Sequence, residues 1–484
     1  MKPLEKRDYD AIVVGSGPNG LAAAIVLQQA GKSVLLVEAK PTIGGGMRTA
    51  ELTLPGFHHD VGSAIHPLGA DSPFFRTLPL NRFGLEFITP PVAAAHPFDG
   101  GSAALLTGSV SDTARLLGTD APAYERLMTQ PVRDWPGLAP DLLGPLTFPK
   151  HPLAFAQFGL KALPSAQVLA DLYFKTDAAR GLWAGMAAHS MQPFTNLTTA
   201  SVALVLLLLG HRVSWPLPRG GSQKIADALA AYFVSLGGHI QTNTPVRSLG
   251  QLPSAHAILL DITPRQVLAI AGERLSPLYR WQLSRYRYGM GIFKMDWALD
   301  GPIPFTNPDC HRAGTIHIGG SLEEIAAGER AIAGGQHPEK PFVLLAQQSR
   351  FDDSRAPTGK HTVWAYCHTP NGSRLDQTDV VERQIERFAP GFRERILGRH
   401  VMDTAAVEAW NENYVGGDIN GGVQDVTQLF TRPALRFSPY RTSAKGIYIC
   451  SSSTPPGGGV HGMGGYHAAR RALQDVFGEQ LPQL

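Results

Sequence analysis

"AIVVGSGPNGLAAAIVLQQAGKSVLLVEA" occupies residues 11–39 and reads as a strand, a glycine turn, a helix and a second strand that ends in an acid. Residues 12–14 are a short apolar, β-branched run, and strong helix formers follow the glycines. Gly15, Gly17 and Gly20 let the backbone turn tightly, approach a pyrophosphate and pack helix on strand. The start of the helix offers free N–H groups to an anion, and Gly31 reads as its C-cap. Seventeen residues separate Gly20 from Glu38. At the end of the second strand, that carboxylate can accept both hydroxyls of an adenosine ribose and argues against a 2′-phosphate. The stretch predicts a unit that holds a dinucleotide.

A chain of 484 residues with 43% hydrophobic residues can fill two or three lobes. Its net charge of +3 is nearly balanced and no block of like charges occurs, so nucleic acid is not indicated as a partner. Cys310, Cys367 and Cys450 are scattered, which fits a reducing compartment and offers neither a disulfide frame nor a zinc site. The charged opening MKPLEKRDYD runs straight into the first strand without the pattern of a signal peptide, so a cytoplasmic protein is expected. The longest apolar run, residues 202–209, is far shorter than the roughly 20 residues of a membrane span. It reads as a buried helix. With "HPLAFAQFGLKALPSAQVLADLYF" (residues 151–174), the alternative is an oily tunnel or a patch that dips into a membrane surface as a peripheral contact.

Composition divides the chain into alternating parts. Residues 1–72 carry the nucleotide unit and a glycine-rich loop, "PTIGGGMRTAELTLPGFHHDVGS", expected to press against a ligand. Residues 73–212 are rich in proline, alanine and leucine and read as a helical substrate lobe. Residues 213–285 return to the first domain: Ser222 is placed to cap a helix with Ile225, Leu229 and Phe233 on its apolar face, and "HIQT", "PVRSL" and "AHAILLDIT" read as strands. Residues 286–405 hold alternating runs such as "GIFKMDWAL", "PFVLLAQQS" and "HTVWAYCHTP", a second sheet for the substrate lobe. Residues 406–484 close with a strand, a glycine loop and a helix that rejoin the nucleotide domain.

Glu38 is followed by Ile43-Gly44-Gly45 and then Gly46-Met47-Arg48-Thr49. The N-terminal pattern resembles the flavin adenine dinucleotide signature of the glutathione-reductase-like flavoproteins. "GIYICSSSTPPGGGVHGMGG" resembles the carotenoid-desaturase signature: Pro456, Gly457, Gly459 and Val460 fit it, whereas Ser451, Pro455 and Gly458 depart from it. Over nearly its whole length the chain is similar to the phytoene-dehydrogenase-related, or pyridine-nucleotide-disulfide-oxidoreductase-domain-2-like, flavoproteins. The resemblance implies an α/β fold with a Rossmann-like FAD-binding domain of glutathione-reductase type and a substrate lobe of mixed sheet and helices. It also implies non-covalent FAD. The implied cofactor residues are Gly15, Gly17, Pro18, Asn19, Gly20, Glu38, Gly45, Gly46, Met47 and Arg48 in the first part of the chain. Asp60, Gly62 and Ser63 follow, then Val246, Ser452, Gly459, Val460, His461 and Gly462. There is no paired cysteine and no second strand–GxGxxG–helix unit, so electrons are expected to leave to oxygen, a quinone or another bound acceptor, or to return to the substrate.

"GMGIFKMDWAL" followed by "PIPF" resembles the amine-oxidase strand that keeps a lysine near flavin N5, and Lys294 is the matching residue. Phe293 and Met295 should face away from it; the alternative is a lysine at a sheet edge. The N–H groups of Val460, His461 and Gly462 should face the N1–C2=O edge of the flavin, with the His461 ring adding a proton or a charge, or only its backbone mattering. Trp364, Tyr366 and His368 share one strand face: Trp364 reads as core, while Tyr366 and His368 divide evenly between pocket and core. Tyr414 matches the place of an active-site aromatic in amine oxidases, or marks a tight loop. His58, His59 and His66 lack metal-ligand spacing, so no metal is expected. The function expected is a FAD-dependent dehydrogenase, desaturase or oxidase acting on a small apolar, polyene or isoprenoid-like substrate. The alternatives are an amine or amino-acid oxidase and a flavin-bearing interaction protein without turnover.

Overall fold

The computed structural model describes residues 8–481 and 484. Its two main sheets are built, in chain order, from β1 (Tyr9–Val14), β2 (Val34–Val37), β3 (Val92–Pro97), β4 (Ala103–Leu106), β5 (His239–Gln241), β6 (Ala255–Leu260), β7 (Gly291–Leu299), β8 (Ala313–Ile318), β9 (Val343–Ala346), β10 (His361–Thr369), β11 (Ile396–Met402) and β12 (Ile447–Ile449).

The first sheet has the order β12-β6-β1-β2-β5, and every pairing in it is parallel. A parallel sheet covered on both faces needs continuous apolar strands, and "AIVV", "VLLV" and "AILL" supply them. The helix Pro18–Gln29 follows β1, and Gly31 at φ +74° ends its turn. The helix Met463–Ala472 lies against it so closely that a Cβ on Gly465 would overlap the Asn19 carbonyl oxygen. Strands from three separate stretches of the chain thus form one nucleotide-type sheet.

The second sheet is mixed, in the order β11-β7-β10-β9-β8-β3-β4, with β8 and β3 parallel and the other pairs antiparallel. One face is a closed core of Phe293, Met295, Trp297 and Leu299 with Val343, Leu345 and Val363. The other face carries Lys294, Asp296, Trp364 and Tyr366, because side chains alternate along a strand.

Three local expectations are corrected. Residues 73–212 are not helical throughout, since β3 and β4 join the second sheet; apart from Val92 these alanine-rich strands carry none of the β-branched residues that mark a strand. "PVRSL" forms no strand but a loop after β5. Ser222 precedes the helix Gln223–Ser235 without capping it, and its hydroxyl instead donates to the Ser63 carbonyl and bonds the His66 ring, both at 2.8 Å.

The apolar run becomes the helix Thr199–Val213, with Ala203, Leu204, Leu207 and Leu208 buried, each leucine contributing about 1.5–3 kcal/mol. Among the described residues, no helix is long and apolar enough to cross a membrane. Leu153, Leu160 and Leu172, on the two helices Pro152–Ala162 and Ala166–Tyr173, are exposed.

Candidate active site

A cavity of about 420 Å³ begins at the carboxyl ends of β1, β2, β6 and β12 and reaches the inner face of the second sheet. Ligands of open parallel sheets bind at such strand ends. The near end is lined by Gly15, Gly17, Pro18 and Asn19 of the glycine turn, by Glu38, and by Gly45, Gly46 and Arg48. Gly62, Ser63, Val246, Ser452, Gly459 and Val460 also line it. The far end is formed by Ile292 and Lys294 of β7, Thr315 of β8, Leu344 of β9, and Trp364 and Tyr366 of β10, with Leu206 and Trp215 from the helical side.

The residues present fit a dinucleotide. Gly15 has φ +100°, and a Cβ on Gly20 would overlap the Gly15 carbonyl oxygen, so only glycine closes this turn against the helix start. The Glu38 carboxylate lies at the cavity wall and accepts the Ser16 N–H at 3.0 Å and the Lys40 N–H at 2.9 Å. Arg48 is 3.3 Å from it and stacks over Trp410. Glu38 is thereby fixed where an adenosine ribose would meet it, with Thr244, Val246 and Arg247 opening the rim beside it.

Other expected cofactor residues support the cradle without facing the cavity. Gly20 and Met47 pack behind the turn. Asp60 is corrected: its carboxylate does not line the cavity but accepts Arg355 and Thr49 at 2.7 Å and the Ser222 N–H at 2.8 Å. Burial alone would raise this carboxyl, and Arg355 together with the hydrogen bonds outweighs burial and holds it low. Asp60 is an ionic tie between the loop after β2 and the connection that joins β9 to β10.

His461 is corrected in the same way. Its Nδ1 accepts the Met463 N–H at 3.0 Å, its carbonyl accepts the Ser72 hydroxyl at 2.6 Å, and burial pushes the imidazole down to about 4. A neutral ring tied into the glycine loop carries no charge for the cavity. Gly462 is the residue before the last helix, at φ +69°, packed against Phe75 and Ala22, so Gly459 and Val460 are the loop residues that reach the cavity.

On the sheet face, Lys294 is 1% exposed and lines the cavity, with Phe293 and Met295 in the opposite core. It is no edge lysine, because β7 runs between β11 and β10. Its ammonium forms an ion pair with Asp296; burial lowers the lysine, and Asp296 and Asp60 oppose that in part. Trp364, expected in the core, is buried there and also lines the cavity, and it donates its indole N–H to the Gly62 carbonyl at 2.8 Å. Tyr366 lies beside it in the cavity wall, the two ring centroids 5.3 Å apart. His368 turns away from the cavity to Glu329, 2.7 Å distant. Tyr414 lies against Gly46 and Arg48, in the near half of the cavity.

Two acids in this site escape the sequence reading. Asp261 ends β6 just as Glu38 ends β2, and "AILLD" repeats the form of "VLLVE". Its Oδ2 accepts the Gly20 N–H at 2.9 Å, inside the glycine turn, and burial pushes it up to about 7. Asp296 was signalled by the two-residue period that puts it on the Lys294 face.

The chain matches the model of the family described as flavin containing amine oxidoreductase over residues 19–274, more than half its length. It is 27% identical to rat pyridine nucleotide-disulfide oxidoreductase domain-containing protein 2, over 97% of this chain and 94% of that protein. It is 23% identical to a limonene dehydrogenase component of Castellaniella defragrans, over 98% and 96%. The phytoene desaturase (neurosporene-forming) of Rhodobacter capsulatus is 24% identical over 93% and 91%. Among solved structures, an oxidoreductase from Methanosarcina mazei superposes with TM-score 0.66 at 14% identity, over 97% of this chain and 100% of that one. A putrescine oxidase bound to putrescine gives 0.63 at 18%, over 98% and 100%. The glycine turn, the acid at the end of β2 and a parallel sheet facing a mixed one agree with these likenesses: the chain belongs to the flavin containing amine oxidoreductase family and is a FAD-dependent oxidoreductase of the amine oxidase and carotenoid desaturase superfamily.

Proposed function

We propose that the protein oxidises a small apolar substrate, polyene or isoprenoid-like, with FAD held non-covalently and electrons passing on to oxygen or a quinone. The observation that carries this is the far half of the cavity. Ile292, Leu344, Leu206, Trp215 and Trp364 line it, and Lys294, its one charged lining side chain among the described residues, is already paired with Asp296. Such walls favour a hydrocarbon and leave the charge of an amine or amino acid without a partner. Two relatives are named for limonene and phytoene, both hydrocarbons.

FAD, when bound, supplies the two-electron chemistry, and the chain's own residues bind, orient and exclude water. The Trp364 and Tyr366 rings meet edge to face, at 87°, and form an aromatic corner against which an unsaturated chain lies. Lys294 holds a proton at the floor of the cavity. The exposed Leu153, Leu160 and Leu172 are suited to contact with the lipid layer in which such a substrate dissolves. Vesicle flotation, with and without Leu160→Glu, tests that contact.

The test of the function itself is anaerobic bleaching of the flavin absorbance by a panel of terpenes, linear polyenes, primary amines and amino acids. Bleaching by the hydrocarbons alone supports the reading, and bleaching by amines alone replaces it with an amine oxidase. Photoreduction followed by oxygen, quinone or NAD(P) then identifies the acceptor.

A further inference from the structure

The cavity's lysine is the inner end of a row of polar groups that leads out of the sheet. Asp296, fully buried, lies between Lys294 on its own strand and His400 directly across on β11, the edge strand. Its Oδ2 takes the Lys294 ammonium, and the His400 Nδ1 lies 3.5 Å from the same oxygen. The His400 side chain is 32% exposed, so the row runs from cavity to solvent within three side chains.

The surroundings keep this row polar and closed. On the Oδ1 side, the His59 Nδ1 stands 3.7 Å away, while its other ring nitrogen bonds the Thr53 hydroxyl at 2.8 Å. Burial pushes His59 down to about 4, so it is neutral; Arg355 and Asp60 are the charged pair behind it. Arg399 is turned to Glu382 and does not face His400 across the strand. Burial alone would raise the Asp296 carboxyl, and Lys294, His400 and His59 together hold it below the usual range. Among the described residues, the Nδ1 atoms of His59 and His400 and Oδ1 of Asp296 are buried without a hydrogen-bond partner, and all three converge on this carboxylate. A small ring rotation brings either histidine into hydrogen-bond range.

We propose that Asp296 and His400 form a proton path that connects Lys294, and through it the cavity, to solvent at the outer edge of the second sheet. When an N–H bond of Lys294 gives its proton to the cavity, the imidazolium form of His400 gives its Nδ1 proton to the Asp296 carboxylate, Asp296 passes a proton from Oδ2 to the Lys294 amine, and His400, as its ring turns, is reprotonated by hydronium or a buffer acid in solvent. Each carrier ends as it began, one proton has moved inward, and no electron has moved along the row. Histidine suits the outer position because its ordinary pKa lies where it both gains and loses a proton near neutrality. Lys294 is the catalytic residue of the row; Asp296 and His400 act through it. The use made of the proton rests on the flavin oxidoreductase reading, but the path itself does not.

The test has two arms. In protein with isotope-labelled histidine, the His400 resonance is assigned by its loss in His400→Gln and titrated. Lys294→Met and Lys294→Gln should each raise its midpoint by about one pH unit or more, because the Asp296 charge then falls to His400 alone. The effect should vanish when Asp296→Asn is added. A midpoint that ignores Lys294 in both folded variants overturns the path, whatever the substrate. In the second arm, His400→Ala should slow flavin reoxidation about tenfold or more and change its pH profile and solvent deuterium isotope effect, and added imidazole should restore them. Unchanged profiles with normal flavin turnover overturn the path alone. Coupled titration in a protein that no substrate reduces overturns the oxidoreductase reading and leaves the path.

Discussion

Lys294 and Asp296 stand two residues apart on one face of β7, and their charges meet in an ion pair sealed from solvent at the floor of the cavity. An ammonium so placed stabilises negative charge that develops beside it, because little water screens the field. Lys294→Met keeps much of the volume and removes the charge. Substrate reduction of the flavin should proceed at its normal rate while reoxidation by oxygen slows tens of times, about 2 kcal/mol on the barrier. Stopped-flow absorbance checks both phases, and unchanged reoxidation rejects the role.

Glu38 makes a different kind of contribution, since its carboxylate is held by the Ser16 and Lys40 N–H groups at the cavity wall. Glu38→Ala should weaken FAD binding by about 1–3 kcal/mol through loss of charge-assisted hydrogen bonds. Fluorescence quenching of FAD by the apoprotein measures the difference directly.

Asp261 should make both stability and cofactor binding depend on pH. Its folded value of about 7 exceeds the ordinary 3.8, so between those pH values the folded chain holds a proton that the unfolded chain has lost. Its contribution to stability therefore falls as pH rises from about 4 to about 7 and is level above that. A diphosphate at the same helix start would raise the carboxyl further, so FAD affinity should fall above pH 7 by up to about tenfold per unit. Asp261→Asn should flatten both dependences, as read by melting curves and FAD titrations across the range.

His461 is already neutral at physiological pH and is bound into its own loop. His461→Ala should lower stability by about 1–3 kcal/mol, because the Met463 N–H loses its acceptor. The pH profile of turnover between 5 and 8 should keep its shape. A lost ionisation in that profile would return the ring to the chemistry.

The Asp60–Arg355 tie predicts a stability effect of another size. Asp60→Ala leaves the fully buried Arg355 guanidinium without its carboxylate, a loss of about 3–5 kcal/mol in denaturant unfolding. FAD affinity measured well below the unfolding midpoint should change less than in Glu38→Ala.

The first sheet was legible because its strands are unbroken apolar runs and its turn needs glycines at fixed spacing. The Glu38 end of the cavity came with it. β3 and β4 were hidden because alanine carries no strand preference, and only their pairing with each other and that of β3 with β8 makes "VAAAHP" and "AALL" extended. Roles inside the site were harder. Trp364 and His368 occupy the same strand face, yet one reaches the cavity and the other meets Glu329, a helix residue 39 positions earlier that no local pattern links to it. Asp60 follows the same rule, since Arg355, its main partner, lies 295 residues away. The burial and charge of such groups come from distant chain, which periodicity does not register.

The central claim is that this chain holds one FAD, without a covalent bond, along the cavity from Glu38 to Lys294. Acid precipitation of the purified yellow protein, followed by chromatography of the supernatant, tests it most directly. The account predicts FAD in the supernatant at close to one per chain and a colourless pellet. Colour retained by the pellet, or the absence of any flavin from protein refolded with FAD, would contradict it.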